Sequence, residues 1–124
     1  MKILPLFAGL PLAATAGVSS GPAAAHHSWS AEYDLSRSTS VNGTVARVAI
    51  RSPHSELVLV VGDDDTQQRW TIMWASPQRL RDRGVTNRTL RVGEELLITG
   101  NPHRDEDVRS LRATSVRRSD GTEL

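Results

Sequence analysis

The sequence predicts an all-β domain closed as a small five-stranded barrel, with one short helix between the third and fourth strands. Three observations predict it. From Ser40 onward, apolar residues alternate with polar ones or run unbroken over short stretches separated by turn residues. Only one segment carries both a helix start and a helix stop signal, at Ser76-Pro77 and Gly84. The resulting order is strand, strand, strand, helix, strand, strand, which is the order of an OB-type barrel plugged at one end by its helix. A small β-sandwich is the competing architecture.

Ahead of this domain, residues 1–25 read as a cleaved export signal. Lys2 supplies the positive start, Ile3 to Ala14 a short apolar run, and Ala23-Ala24-Ala25 a small-residue cleavage site. The run falls short of the roughly 20 residues a membrane-spanning helix needs, and Pro5 and Pro11 interrupt it. No later segment is as apolar, so a soluble, periplasmic or secreted mature chain without a transmembrane segment is expected. Cutting after Ala25 leaves 99 of the 124 residues and starts the chain at His26-His27. Ala14-Thr15-Ala16 is an alternative site, and cutting there would set the histidine pair inside a polar tail.

Composition narrows the function classes. The chain has no Cys, so neither disulfides nor thiolate ligands are available, and stability must come from a packed core. Lys2 is the only Lys, so the mature chain sets 14 Arg against 14 Asp and Glu. A balanced charge argues against nucleic-acid binding, which draws on an excess of positive charge to release counterions.

Residues 26–39 are polar and without sustained period, and are expected to form an extended arm pinned on the domain by Trp29 and Tyr33. The barrel domain is placed at 40–124. Its first strand runs to Ile50, with Gly43 marking a bulge or sharp coil. Arg51-Ser52-Pro53-His54-Ser55 breaks that strand, and Glu56 to Val61 is the second, nearly all apolar and therefore buried. Asp63-Asp64-Asp65 lacks the alternate ligand spacing of a calcium loop and reads as a solvated hairpin tip. In the third strand, Gln68 to Trp74, residues Trp70, Ile72 and Trp74 share one face. The helix follows, with Ser76 as N-cap, Pro77 in its first turn and Leu80 as its main apolar contact. Glu95 to Thr99 is the fourth strand, Gly100 to Asp107 a polar loop, and Val108 to Val116 the fifth strand. The expected core is Val45, Leu57, Leu59, Trp70, Ile72, Leu96, Ile98 and Leu111, with Leu80 closing one end.

Ala25-His26-His27-Ser28-Trp29, Gly43-Thr44-Val45, Ser52-Pro53-His54, Trp70, the segment Ser76-Pro77-Gln78-Arg79-Leu80 to Gly84, and Val92-Gly93-Glu94-Glu95-Leu96 form a set spread over nearly the whole chain. On these motifs the chain resembles a family of small, exported, functionally uncharacterised bacterial proteins. Ser52 stands where the family carries Asn, and Trp29 where it carries Phe. The resemblance implies an exported OB-like domain and brings no established activity.

Four histidines are the chemical candidates. A terminal His chelates through its α-amine and ring nitrogen together, and further imidazoles complete a nitrogen set suited to Cu(II), then Zn(II) or Ni(II). His26, His27 and His54 form the candidate metal set. His54 follows Pro53 at a strand end, and His103, after Pro102 in an acidic loop, is the weaker candidate. The alternative is an exposed, adventitious His-His tail with His54 as a structural residue. A second candidate patch is Arg79, Arg83 and Arg88, which would take an anionic ligand, an anionic surface or a periplasmic protein partner. No nucleophile elbow, paired carboxylates or phosphate-binding glycine loop is present, so a binding or accessory module is expected rather than an enzyme. A small copper-dependent oxidative enzyme is the remaining alternative.

Overall fold

The structure, a computed structural model, describes residues 28–124. Five strands are formed: β1 (Thr39–Ala49), β2 (Glu56–Val61), β3 (Gln68–Met73), β4 (Glu95–Pro102) and β5 (Ser110–Arg118). Two short helices accompany them, α1 (Trp29–Glu32) and α2 (Pro77–Asp82). The strands close into a barrel in the order β1-β2-β3-β5-β4. All neighbours are antiparallel except β3 and β5, which run parallel. The OB-type order read from the sequence is therefore the observed one, and the sandwich alternative is discarded.

Closure depends on β1, the longest strand at 11 residues. Its first half, Thr39 to Thr44, pairs with β4, and its second half, Thr44 to Ala49, pairs with β2. One strand thus serves both edges, and it must coil sharply to do so. The expected bulge at Gly43 lies elsewhere: the register of β1 against β2 slips between Val45 and Arg47. Gly43 does a different job. A Cβ built there would sit 2.8 Å from the Val60 carbonyl oxygen and 2.9 Å from a Val61 methyl, so only glycine lets the strands cross this closely.

Helix α2 plugs the barrel as its sequence signals imply. Ser76 Oγ accepts a hydrogen bond from the Arg79 amide at 3.4 Å, and Pro77 occupies the first turn. At the other end the amides of Gly84 and Val85 donate to the carbonyls of Arg81 and Leu80, both at 2.8 Å, with Gly84 at φ +79°. Leu80 is fully buried, and Val85 and Leu90 from the following loop join it.

Of the expected core residues, Val45, Leu57, Leu59, Ile72, Leu96, Ile98, Leu111 and Leu80 are all buried. Trp70 is only half-buried and packs against the core, while Trp74, one residue past the end of β3, is the buried tryptophan. Strand boundaries also differ: β1 starts and ends one residue early, at Thr39 and Ala49, β3 ends at Met73 instead of Trp74, β4 continues through Pro102, and β5 runs from Ser110 to Arg118 instead of Val108 to Val116. Gly100, Asn101 and Pro102 read as loop residues by composition, yet ladder pairing with Ala113, Arg112 and Leu111 holds them in the sheet.

The arm differs more. Trp29 to Glu32 is a turn of helix, not extended chain, closed by the Tyr33 amide donating to the Trp29 carbonyl at 2.8 Å. The Ser28 and Ser30 side chains bond each other at 2.7 Å, so neither serine competes for the helix backbone there. After Tyr33, the Asp34 carboxylate accepts from the Ser36 amide at 3.1 Å and hydroxyl at 2.6 Å, forming a tight turn into β1. Those hydrogen bonds, the hydroxyl's first, hold the Asp34 carboxyl below the ordinary value.

Candidate functional site

The arm is latched across the end of the barrel where β4 and β5 meet. Tyr33 forms an isolated bridge with His103, and the Asp34 amide donates to the Pro102 carbonyl at 2.9 Å. The Arg104 amide donates to the Glu32 carbonyl, and its Nε donates to the Ser30 carbonyl, both at 2.8 Å. Asn101 links the two sides: its Nδ2 donates to the Arg37 carbonyl at 2.8 Å while its Oδ1 accepts from Arg112 at 3.0 Å. The Tyr33 ring is 3% exposed, and its hydroxyl is 2.8 Å from Ser110 Oγ. Tyr33, expected from the sequence to pin the arm on the domain, is one of the more buried aromatic side chains.

Burial pushes the Tyr33 phenol above its ordinary value of 10.0, outweighing the Ser110 hydrogen bond, which lowers it. The phenol therefore holds its proton more firmly in the folded chain than in the unfolded one. Its contribution is complete below pH ~10 and is lost as the pH rises above that. Tyr33→Phe should remove this alkaline loss. It should also cost about 1–3 kcal/mol at neutral pH, by leaving the buried Ser110 hydroxyl unpaired. Urea unfolding of both proteins between neutral pH and pH ~11 checks each effect.

This latch carries Trp29 to the mouth of an open cleft. The Trp29 ring lies 4.4 Å, centroid to centroid, from the His54 ring, tilted by 50°, and 5.7 Å from Tyr33 edge to face. The Arg112 guanidinium sits 5.4 Å from the centre of the same indole. The cleft has a volume of about 430 Å³ and runs from Trp29 and His54 over Trp74 toward α2.

The candidate residues separate here. His54 is half-buried in the cleft wall, and among the described residues its ring nitrogens have no hydrogen-bond partner. His103 is committed elsewhere: its Nδ1 accepts from the Asp105 amide at 3.0 Å, and its ring meets Tyr33 edge to face at 5.4 Å. His26 and His27 lie outside the described residues. Among the described residues, no group of three or more His, Asp or Glu side chains could hold a metal ion. Asp63 to Asp65 form an exposed hairpin tip between β2 and β3.

Of the arginines, Arg79 and Arg83 line the cleft from one face of α2, as their four-residue spacing implies. Arg88 does not; it sits in an exposed turn beyond the helix. The structure supplies Arg112 instead, which sequence reasoning missed. Its position beside Leu111 on β5 marks it as outward-facing, but only the barrel's closure brings it beside α2. Trp74 and Tyr33 were likewise unassigned as site residues. No helix among the described residues is long and apolar enough to cross a membrane.

Comparison with known proteins places the chain in a family and brings no activity with it. No curated protein matches the chain. Among solved structures, the crystal structure of the S. pombe Stn1-Ten1 complex contains a chain with 18% identity and a TM-score of 0.48. That match covers 71% of this chain and 58% of the other. A protein-family profile matches residues 14–112, and the chain belongs to that family, DUF6152, a family of unknown function.

Proposed function

We propose that the mature chain is an exported binding module that captures one Cu(II) ion at its N-terminus, with His54 as the ligand from the folded domain. The α-amine and imidazole of His26 supply two nitrogens once residues 1–25 are removed. His27 stands adjacent as a further imidazole, and the donor set is all nitrogen, as Cu(II) prefers.

One observation carries this reading: the contact of Trp29 with His54. His26 precedes Trp29 by three residues, so the extended backbone bounds their Cα separation at about 10 Å. Three residues of chain therefore suffice for His26, as the first residue of the mature chain, to reach an imidazole without a partner among the described residues. The arm's hydrogen bonds hold Trp29 there before any metal arrives. Loss of arm entropy then weighs less against binding.

The test is a competitive copper titration of protein starting at His26 against protein carrying one added residue ahead of it. The added residue turns the α-amine into an amide, and affinity should fall on the order of tenfold or more. His54→Ala should weaken binding comparably, whereas His103→Ala should leave it within about twofold. Affinity should also fall as the pH is lowered, because protons compete for the ligand nitrogens. Equal affinities for the native and extended termini would reject the reading.

A further inference from the structure

The Arg-lined half of the cleft is not used by the metal reading, and its chemistry is of a different kind. Arg79 and Arg83 reach it from α2, and Arg112 reaches it from β5. Among the described residues no carboxylate lines the cleft. None of the described ion pairs involves these three arginines: those found join Arg37, Arg47, Arg117 and Arg118 to Glu106, Glu56, Glu123 and Glu94. In a chain with nearly balanced charge, cations converging without counter-charge form an anion-binding arrangement. Arg112 is also fixed in place, by its bond to Asn101 and its contact with Trp29.

The cleft's remaining surface sets the rest of the ligand. Trp74, only 5% exposed, forms the floor and Trp29 one wall, so apolar aromatic surface lies beside the guanidinium groups. A volume of about 430 Å³ falls in the range of small-molecule sites. We infer that this cleft binds a small amphipathic anion, with its phosphate or carboxylate head on Arg79, Arg83 and Arg112 and its apolar body against Trp29 and Trp74. Guanidinium groups present paired donors that match both head groups, and the indole faces favour a flat body. The head group can belong to a free molecule or to a lipid.

The experiment uses metal-free protein starting at His26, so its outcome is independent of copper binding. Phenyl phosphate, inorganic phosphate and neutral benzyl alcohol are titrated while tryptophan fluorescence is read, since Trp29 and Trp74 both line the cleft. Phenyl phosphate should give saturable quenching, inorganic phosphate weaker binding, and benzyl alcohol none. The double variant Arg79→Glu/Arg83→Glu changes two exposed positions and should keep the wild-type melting curve while losing on the order of tenfold or more in affinity. Raising the salt concentration should weaken binding by the wild type and have little effect on the variant. Co-sedimentation with phosphatidylglycerol vesicles but not phosphatidylcholine vesicles, lost in the double variant, would assign the head group to a lipid. Quenching by free phenyl phosphate without vesicle binding would assign it to a small molecule. The proposal fails if neither probe binds, if benzyl alcohol binds as well as phenyl phosphate, or if the folded double variant binds like the wild type.

Discussion

Leu59→Ala is expected to destabilise the domain by ~2–5 kcal/mol, at the upper end of that range. Leu59 is fully buried on β2, opposite Val45 of β1 on one side and Trp70 of β3 on the other. Truncation removes its apolar contacts and leaves a cavity that a closed barrel can collapse only by distorting two ladders at once. A domain of this size has a total stability of about 5–15 kcal/mol, so such a loss brings it close to unfolding at growth temperature. Urea unfolding followed by tryptophan fluorescence should show a large drop in midpoint with little change in slope. An exposed leucine provides the contrast: Leu35, at 46% exposure, should tolerate alanine within about 0.5 kcal/mol.

Gly100→Ala is expected to be as damaging, for the opposite reason. An ideal Cβ at Gly100 would lie 2.3 Å from the Arg112 carbonyl oxygen and 2.9 Å from the carbonyl carbon. These are backbone atoms and cannot rotate aside. The β4–β5 register already shifts between Thr99 and Gly100, so an added methyl must push the strands apart at their irregular point. We expect a loss of about 3 kcal/mol or more, the upper part of the range for overpacking. The same displacement should reach the arm. Asn101 follows Gly100 and holds both the Arg37 carbonyl and Arg112. Hydrogen exchange at the Asp34 and Arg104 amides, which close the arm onto the barrel end, should therefore accelerate in the variant more than at β2.

The barrel was legible because its information is local. Alternation in β3, the apolar run of β2, and the Ser76-Pro77 and Gly84 signals around α2 each name an element without knowledge of its neighbours. Their order then selects the topology. The misplacements within β1 and β4 are cases where pairing overrides composition. Gly100 to Pro102 look like a loop but are held by β5, and the bulge falls two to four residues past Gly43, where β1 passes from β4 to β2. Half of the candidate site was legible in the same way. Arg79 and Arg83 share a helix face by spacing alone, and Pro53-His54 sits at a strand end. Trp29 and Tyr33 were legible as the residues that pin the arm, but their partners and Arg112 were not, since no pattern within β5 or the arm indicates what closure brings together. Arg88 illustrates the converse: proximity in sequence to Arg83 does not survive the turn at Gly84.

The central proposal is that the latched arm lets His26, as the first residue of the mature chain, meet His54 at one Cu(II) ion. It is tested most directly by electron paramagnetic resonance of the protein starting at His26, loaded with one equivalent of Cu(II). The account predicts a single species with a nitrogen-rich coordination sphere, in which His54→Ala removes one imidazole nitrogen while the folded barrel, read by circular dichroism, is unchanged. A spectrum identical in the wild type and His54→Ala, or several coexisting copper species of the kind an unanchored His-His peptide gives, would contradict it.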